Sequence, residues 1–160
     1  MAFDMFIKID GIKGESKGAG HEKEIDVLSW SWGTSQSGTM HAGGGGGAGK
    51  VNVQDVSLSK WVDAASPDLL LACCNGKHIK EAILTVQKAG EKPLPYVKIT
   101  LTNLLVTSVS TGGSGGEDRL TENVTLNFEK VKFEYDTQTE KGAKGDHFQM
   151  AWDIAANKAA

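Results

Sequence analysis

Apolar and polar residues alternate along short stretches of this chain, a pattern that predicts β-strands with one face against a core. The first stretch covers residues 3–9, with apolar side chains at every second position. Further strands are predicted over 79–88, 96–110 and 120–138, the second of these unusually long. The alternation is cleanest near the end of the chain, in the terminal strand 147–154. Its four apolar positions are Phe148, Met150, Trp152 and Ile154.

Two stretches on either side of a glycine-rich run also alternate, 25–37 before it and 51–58 after it. In the first, large apolar residues share one parity and serines the other, so the two sets are predicted to lie on opposite faces. These sets are Leu28, Trp30 and Trp32 against Ser29 and Ser31. In the longest predicted strand the apolar parity changes across Glu129–Lys130, which predicts a bulge or corner there.

One segment, residues 66–76, breaks the alternation and carries helix signals. Ser66 is predicted to be the N-cap, with Pro67 at the first helical position, and Asn75–Gly76 suits a left-handed C-cap. Together with the strands, this segment predicts an all-β protein of seven or eight antiparallel strands, a barrel or a sandwich, with one short helix packed outside. The whole chain, 1–160, is predicted to be a single domain.

Charge and composition argue against several classes of protein. The formal net charge is −3 and the lysines and arginines are scattered, so no basic face for a nucleic acid is predicted. No apolar run approaches the roughly 20 residues that cross a bilayer. The first residues show no signal-peptide pattern. The chain is therefore expected to bind neither nucleic acid nor membrane.

The glycine-rich run, residues 43–49, is close to a phosphate-binding loop, because Gly44 is followed after four residues by Gly49–Lys50. Such a loop also needs Ser or Thr after the lysine, to hold magnesium, and a helix whose N-terminus faces the phosphates. Here Val51 follows the lysine and opens a predicted strand. A nucleotide-dependent enzyme is therefore the weaker hypothesis, and a long loop joining two strands is the favoured interpretation.

No catalytic or metal-binding pattern is visible, so neither an enzyme nor a cofactor is predicted. The four histidines lie in or beside turns, and no two have the spacing of metal ligands. Cys73 and Cys74 are expected to be small core-facing residues rather than a disulfide. The acidic residues of the longest predicted strand are expected on its exposed face. They are Glu122, Glu129, Glu134 and Asp136.

Five short strings of residues occur in an order that is specific to one known family. They are Phe3-Asp4-Met5-Phe6-Ile7-Lys8-Ile9, Ser29-Trp30-Ser31-Trp32-Gly33, Gly49-Lys50-Val51-Asn52-Val53-Gln54-Asp55, Gly76-Lys77-His78 and Thr121-Glu122-Asn123-Val124. Over residues 3–135, and more loosely to the terminal strand, the chain resembles the haemolysin-coregulated protein (Hcp) family, the tube proteins of bacterial type VI secretion systems. The resemblance implies a barrel of two β-sheets with a helix on its flank, assembled into six-membered rings around a wide channel.

The same resemblance implies that rings stack into a tube, which a contractile sheath drives into a neighbouring cell with effector proteins in the channel. The implied partners are further copies of the chain, effector proteins, and the sheath and tip proteins of the apparatus. The protein is expected to assemble in the bacterial cytoplasm and to be secreted without a signal peptide. An alternative is a ring that serves chiefly as an export chaperone for effectors, with tube building secondary.

The resemblance also assigns roles to particular residues. The sheet with the alternating serines and tryptophans would line the channel, which makes Ser31, and next Ser29, the expected effector-facing residues. The glycine-rich loop would project from a ring face and become ordered when the next ring docks. This expected ring-stacking loop comprises Gly43, Gly44, Gly45, Gly46, Gly47, Ala48 and Gly49.

Proline at Gly45 or Gly46 would restrict the shapes open to this loop. We therefore expect Gly45→Pro and Gly46→Pro to weaken the stacking of rings while leaving single rings intact. Electron microscopy of tubes, together with the solution mass of the rings, measures both properties. Tubes that form as readily from both variants as from the parent would contradict a stacking role for the loop.

Overall fold

The computed structural model describes residues 2–38, 40–41, 49–90 and 92–160. In this part of the chain strands dominate and a single helix is present. The strands are β1 (Phe3–Ile9), β2 (Ile25–Ser31), β3 (Thr34–Ser35), β4 (Asn52–Val53), β5 (Val56–Trp61), β6 (Ile79–Lys88), β7 (Pro95–Thr111), β8 (Thr121–Gln138), β9 (Lys144–Asp153) and β10 (Lys158–Ala159), and the helix is α1 (Ser66–Asn75). The predicted all-β class with one short helix is confirmed.

Six strands close into an antiparallel barrel. They pair in the order β8, β5, β2, β1, β6, β7, and β7 pairs again with β8. Closure satisfies the backbone hydrogen bonds that an open sheet leaves unpaired at its edges. Strands β9 and β10 extend the sheet from the second half of β8, and β3 pairs with β4 in a separate two-stranded ribbon. The predicted strand 51–58 is divided between β4 in the ribbon and β5 in the barrel. Of the two predicted architectures, a barrel or a sandwich, the structure has the barrel, with a sheet extension.

Strands β7 and β8 turn together at one corner of the barrel. In β8 the buried positions change parity between Phe128 and Val131, as predicted, and β7 changes parity at the same level. The register of the two strands is unbroken there, and Asn103 of β7 has a φ of +52°. Its side chain donates a 2.7 Å hydrogen bond to Glu129 Oε2. The predicted irregularity is therefore a corner and not a bulge.

The prediction that Leu28 lies on the same face as Trp30 in strand 25–37 is wrong. β2 ends at Ser31, earlier than predicted, and its pairing with β5 shifts between Val27 and Ser29. Leu28 is consequently 36% exposed, while Trp30 packs against the core. The extra residue of a bulge reverses the alternation, so Leu28 and Trp30 do not share a face.

Helix α1 has the predicted C-terminus but a different N-terminus. Gly76 follows the helix with a φ of +62°, which is the expected left-handed C-cap. Ala65 rather than Ser66 occupies the N-cap position, and no side chain caps the helix there. Cys73 is half-buried and packs against the core, whereas Cys74 is exposed. Only the first cysteine is therefore core-facing as expected.

Ser66 is turned inward, into a buried cluster of charged and polar side chains. Lys60 is fully buried and Glu122 is 1% exposed, and the two are cross-strand partners in β5 and β8. Lys60 Nζ donates to Glu122 Oε1 and lies 2.9 Å from Asp63 Oδ1. The Ser66 hydroxyl donates to the same Glu122 oxygen at 2.5 Å. The expectation that Glu122 lies on an exposed face is wrong. Lys60 and Ser66 replace water at its Oε1, while its Oε2 is buried with no hydrogen-bond partner among the described residues.

Lys60→Met is expected to be strongly destabilising, since it leaves Glu122 and Asp63 buried without their counter-charge. We expect a loss of about 3–5 kcal/mol in the free energy of unfolding, measured by urea denaturation at fixed protein concentration. Lys130→Met is the control, because Lys130 is half-exposed and lies 3.8 Å from Asp153. An exposed pair contributes about 1 kcal/mol or less. Equal losses in the two variants would contradict the role given to the buried cluster.

Strand β9 lies beyond the closed barrel and has two faces of different chemistry. Its apolar face continues the core face of β8, with Phe148 opposite Tyr135 and Met150 opposite Phe133. Phe148 is nevertheless 57% and Met150 43% exposed, and Trp152 is half-buried. The predicted alternation is therefore present in the terminal strand, but a single chain covers its apolar face only in part.

On the polar face of β9, His147 lies beside two carboxylates of β8. Its Nδ1 is 2.5 Å from Asp136 Oδ1, and its Nε2 is 3.0 Å from Gln149 Oε1. The second carboxylate, Glu134, is 3.7 Å from Nε2, and Lys144 lies 4.0 Å from Asp136. The hydrogen bonds to Asp136 and then Gln149 raise the pKa of His147 above its ordinary value of 6.5. The folded chain therefore holds this proton more tightly than the unfolded chain.

A raised folded-state pKa stabilises the fold while the histidine is charged. The contribution of His147 is fully present below about pH 6.5 and is lost as the pH rises through the folded-state pKa. We expect His147→Gln to have a lower free energy of unfolding than the parent at about pH 5.5, and the difference to shrink by about pH 8.5. Urea denaturation at the two pH values measures this difference. His78→Gln, at an exposed position, is the control, and the same pH dependence there would contradict the assignment.

Candidate functional site

Ser29 and Ser31, the expected effector-facing residues, both lie exposed on the outer face of β2. Trp30 between them packs against the core on the opposite face. This arrangement follows from strand geometry, in which successive side chains point to opposite sides of the sheet. The two serines therefore lie on one solvent-exposed surface of the barrel wall.

Six further small polar side chains join the two serines through strand pairing. Each serine of β2 pairs with a residue of β5, which pairs with a residue of β8, which in turn pairs with a residue of β7. The first row is Ser31, Ser57, Thr125 and Ser108, and the second row is Ser29, Ser59, Asn123 and Ser110. We call these eight residues the hydroxyl grid.

Hydrogen bonds connect members of the hydroxyl grid across the strands. The Ser59 hydroxyl donates to Asn123 Oδ1 at 2.6 Å. The hydroxyls of Ser108 and Thr125 are 2.6 Å apart, and the Thr107 hydroxyl is 2.7 Å from that of Thr125. Over β2, β5 and β8 the surface is concave and forms an open pocket of about 230 Å³. A partner would therefore meet hydroxyl and amide groups that neighbouring strands already hold in place.

The hydroxyl grid contains no charged side chain, and the charged groups of Asp55 and Arg119 near its two ends are engaged by neighbours. At one end both carboxylate oxygens of Asp55 accept hydrogen bonds, from Thr107 and Asn127, each at 2.8 Å. At the other end Arg119 lies over the Trp61 ring, 4.7 Å from its centre. At the Arg119 end the carboxylate of Glu117 lines an open pocket that also includes Asn123. The surface between these ends therefore offers hydrogen bonds without a net charge.

The register of the grid is fixed from inside the barrel. Lys60 and Glu122 face each other on the inner side of β5 and β8, one residue along from Ser59 and Asn123. A slip of either strand by one residue would move its charge outward and its grid residues inward. The buried ion pair therefore positions the outward pair that lies next to it.

Sequence reasoning identified two of the eight grid residues and missed six. The signal in the sequence is the spacing of two between small polar residues, as in Ser29 and Ser31. It recurs in the missed pairs, Ser57 and Ser59, Ser108 and Ser110, and Asn123 and Thr125. Which of these pairs become neighbours is decided by pairing between distant strands, and alternation within one strand does not specify that pairing.

The expected ring-stacking loop falls almost wholly on residues that are not described. Gly43, Gly44, Gly45, Gly46, Gly47 and Ala48 lie outside the described residues, and Gly49 is exposed. The ribbon of β3 and β4 pairs the chain on the two sides of this segment. The stacking role of the loop therefore stays a prediction.

The phosphate-binding interpretation loses its structural basis. Shortly after Lys50 the chain enters β4 rather than a helix, so the helix N-terminus that would face phosphates is replaced by a strand.

Within the described ranges, no group of three His, Cys, Asp or Glu side chains is placed to hold a metal ion. No helix in the described part of the chain is long and apolar enough to cross a membrane.

Comparison with known proteins identifies one family. The family model described as "Type VI secretion system effector, Hcp" matches residues 6–135. Protein hcp1 of Pseudomonas aeruginosa is 60% identical over 159 residues, which cover 98% of this chain and 98% of that protein.

Solved structures agree with this result over the full length of the fold. A structure described as that of a type six secretion system protein has a TM-score of 0.94 at 30% identity, and covers 99% of this chain and 100% of that one. The crystal structure of Hcp1 from Salmonella typhimurium has a TM-score of 0.83 at 45% identity and covers 100% of both chains. The chain therefore belongs to the Hcp family of type VI secretion system proteins.

Proposed function

We propose that this protein is the structural subunit of a type VI secretion tube, which forms rings of six subunits that stack and carry effector proteins in their channel. The observation that carries the proposal is the similarity to Hcp proteins over nearly the whole chain. The partners are then further copies of the chain, effectors, and the sheath and tip proteins. The protein assembles in the cytoplasm and leaves with the tube. The role is structural, so no residue is assigned a catalytic function.

The apolar face of β9 supports association of the chain with copies of itself. Phe148 and Met150 are exposed on this face, beside an open apolar pocket of about 150 Å³ whose lining includes Trp32, Val131 and Trp152. Trp152 Nε1 is buried, and the described residues provide it with no hydrogen-bond acceptor. A neighbouring subunit on this face would cover the apolar side chains and supply the acceptor.

A row of aromatic rings extends this apolar surface across the sheet. Phe3 lies 5.5 Å from Tyr96, Tyr96 lies 5.2 Å from Tyr135, and Tyr135 lies 6.5 Å from Phe148, measured between ring centres. Phe3 at one end is 43% exposed and Phe148 at the other is 57% exposed. Contiguous exposed aromatic side chains are typical of protein–protein interfaces. In a ring each subunit would present this surface to a different surface of the next.

The hydroxyl grid supports the carriage of effectors. In a ring whose channel is lined by the outer face of β2, β5 and β8, the grid would face the cargo. Tight interfaces depend on a few large buried anchors, mostly aromatic residues and arginine. The grid instead offers small hydroxyl and amide groups, which can hold cargo by hydrogen bonds and still release it.

A second candidate function is an export chaperone ring with tube building secondary. The grid favours this alternative equally, because the grid concerns cargo and not stacking. The two functions differ in the importance of the ring-stacking loop, residues 43–49. A chaperone ring would tolerate changes in that loop, whereas a tube subunit would not.

Light scattering of the purified protein at moderate salt is the first test of the proposed ring. We expect a particle of six times the 17.0 kDa of one chain. A monomer at every concentration would leave the fold unchanged but remove the channel, and with it the carrier function.

Met150→Asp places a carboxylate on the face that we assign to the subunit interface. It is expected to shift the particle towards the monomer, because a charge buried without a partner is costly. Leu71→Asp, on α1 at a position that is 60% exposed, is the control and should keep the parental mass. Circular dichroism checks that both variants keep the fold. A particle of six subunits with Met150→Asp would show that this face of β9 is not the interface.

A further inference from the structure

We infer that the hydroxyl grid recognises an extended, uncharged segment of the cargo protein, rich in hydroxyl and carboxamide side chains, and that Asn123, oriented by Ser59, determines this preference. The inference rests on the proposed function, because it takes cargo to be the partner of the grid. It adds the chemical class of the partner and two residues beyond the serines of β2.

The absence of charge within the grid favours a neutral partner. All eight side chains are neutral, the Asp55 carboxylate is satisfied by Thr107 and Asn127, and Arg119 is stacked on Trp61. A charged group that is brought between the two rows loses water without gaining a counter-charge from the eight grid side chains. A hydroxyl or carboxamide group instead recovers its hydrogen bonds from the grid. Charge complementarity therefore selects an uncharged segment.

The spacing of the grid favours an extended segment. The two rows lie two residues apart along each strand, about 6.8 Å, and neighbouring strands are about 4.8 Å apart. Side chains on one face of an extended peptide repeat at the same distance of about 6.8 Å. A peptide that runs along β8 can therefore place one side chain near Thr125 and its next same-face side chain near Asn123.

Asn123 supplies a donor of fixed direction, which the hydroxyls do not. Its Oδ1 accepts the hydrogen bond from Ser59 at 2.6 Å, and its side chain is exposed. This contact leaves the two N–H donors of Nδ2 for a partner. The other seven grid residues carry hydroxyls, which rotate to suit either a donor or an acceptor. Asn123 is therefore the position at which one partner can be distinguished from another.

Fluorescence anisotropy with labelled peptides tests this inference on the assembled protein. The neutral probe is a peptide of alternating Thr and Asn, and the charged probes carry Glu or Lys in place of each Asn. We expect the neutral peptide to bind more tightly than both charged peptides. Its Kd should change less than about twofold between about 0.05 and 0.5 M salt, because no charge is screened.

Two variants of Asn123 separate its donor role from its shape. Asn123→Ala is expected to weaken binding of the neutral peptide about 5- to 10-fold, the loss of one or two hydrogen bonds. Asn123→Asp keeps the shape but should replace the neutral preference by a salt-sensitive preference for the lysine peptide. Asn52→Ala is the matched control, because Asn52 pairs with Ser35 in the ribbon, outside the grid, and should leave binding unchanged.

The mass of each sample, measured in parallel by light scattering, distinguishes the two levels of the proposal. Rings of six that bind no peptide, prefer a charged peptide, or bind equally after Asn123→Ala would overturn the inference and leave the ring function intact. A monomer that binds the neutral peptide through Asn123 would retain this recognition and remove the ring. A monomer that binds no peptide would overturn both.

Discussion

The pairing of β5 with β8 is the constraint on which the rest of the structure depends, and Lys60 and Glu122 hold it from the inside. Two charges leave water only where direct contacts replace their hydration. Lys60 and Glu122 have each other, the Ser66 hydroxyl and Asp63. Two carboxylates against one ammonium leave an excess negative charge, and it lies at the N-terminus of α1, where Ala65 N donates to Asp63 at 2.9 Å. The positive end of the helix dipole offsets that excess. The same buried contacts therefore attach the helix to the barrel and fix the register of β5 and β8. Through that register they also position the outward grid.

Closure of the barrel explains why an apolar face remains uncovered. The first part of β8 pairs with β5, and beyond the corner the same edge of β8 pairs with β9. The strand β9 thus lies outside the closed circle of strands, and among the described residues no opposite wall of the barrel covers its apolar face. The exposed Phe148 and Met150 are a consequence of this topology rather than of their sequence pattern. Self-association is one way for a protein to cover such a face.

Alternation predicted most of the strands because it records which side of a strand is buried, and the corner because parity changes there. Alternation gave wrong placements where one extra residue in a strand, or a partner distant in sequence, determines whether a side chain is buried. A bulge exposes Leu28, which local pattern does not reveal, and the Ser66 hydroxyl bonds to Glu122 instead of capping α1. Glu122 shares the parity of the buried Val124 and Leu126, so parity indicated the interior while charge suggested the surface. The grid was found only in part, because its eight residues become neighbours through pairings that no single segment contains.

A neutral binding surface suits a carrier that moves from one medium to another. Each hydrogen bond that is exchanged with water contributes about 0.5–1.5 kcal/mol, so the grid of one subunit would hold cargo only weakly. In the proposed ring, six grids surround the cargo and their contacts act together, which raises the affinity without any strong single contact. If such a ring fell apart, cargo would keep only the weak contacts of single subunits and would be released. With a charged surface, the affinity for cargo would depend on ionic strength, because salt screens the interaction between charges. Hydrogen bonds between neutral groups would keep the same balance for the proposed carrier on both sides of its passage between two cells.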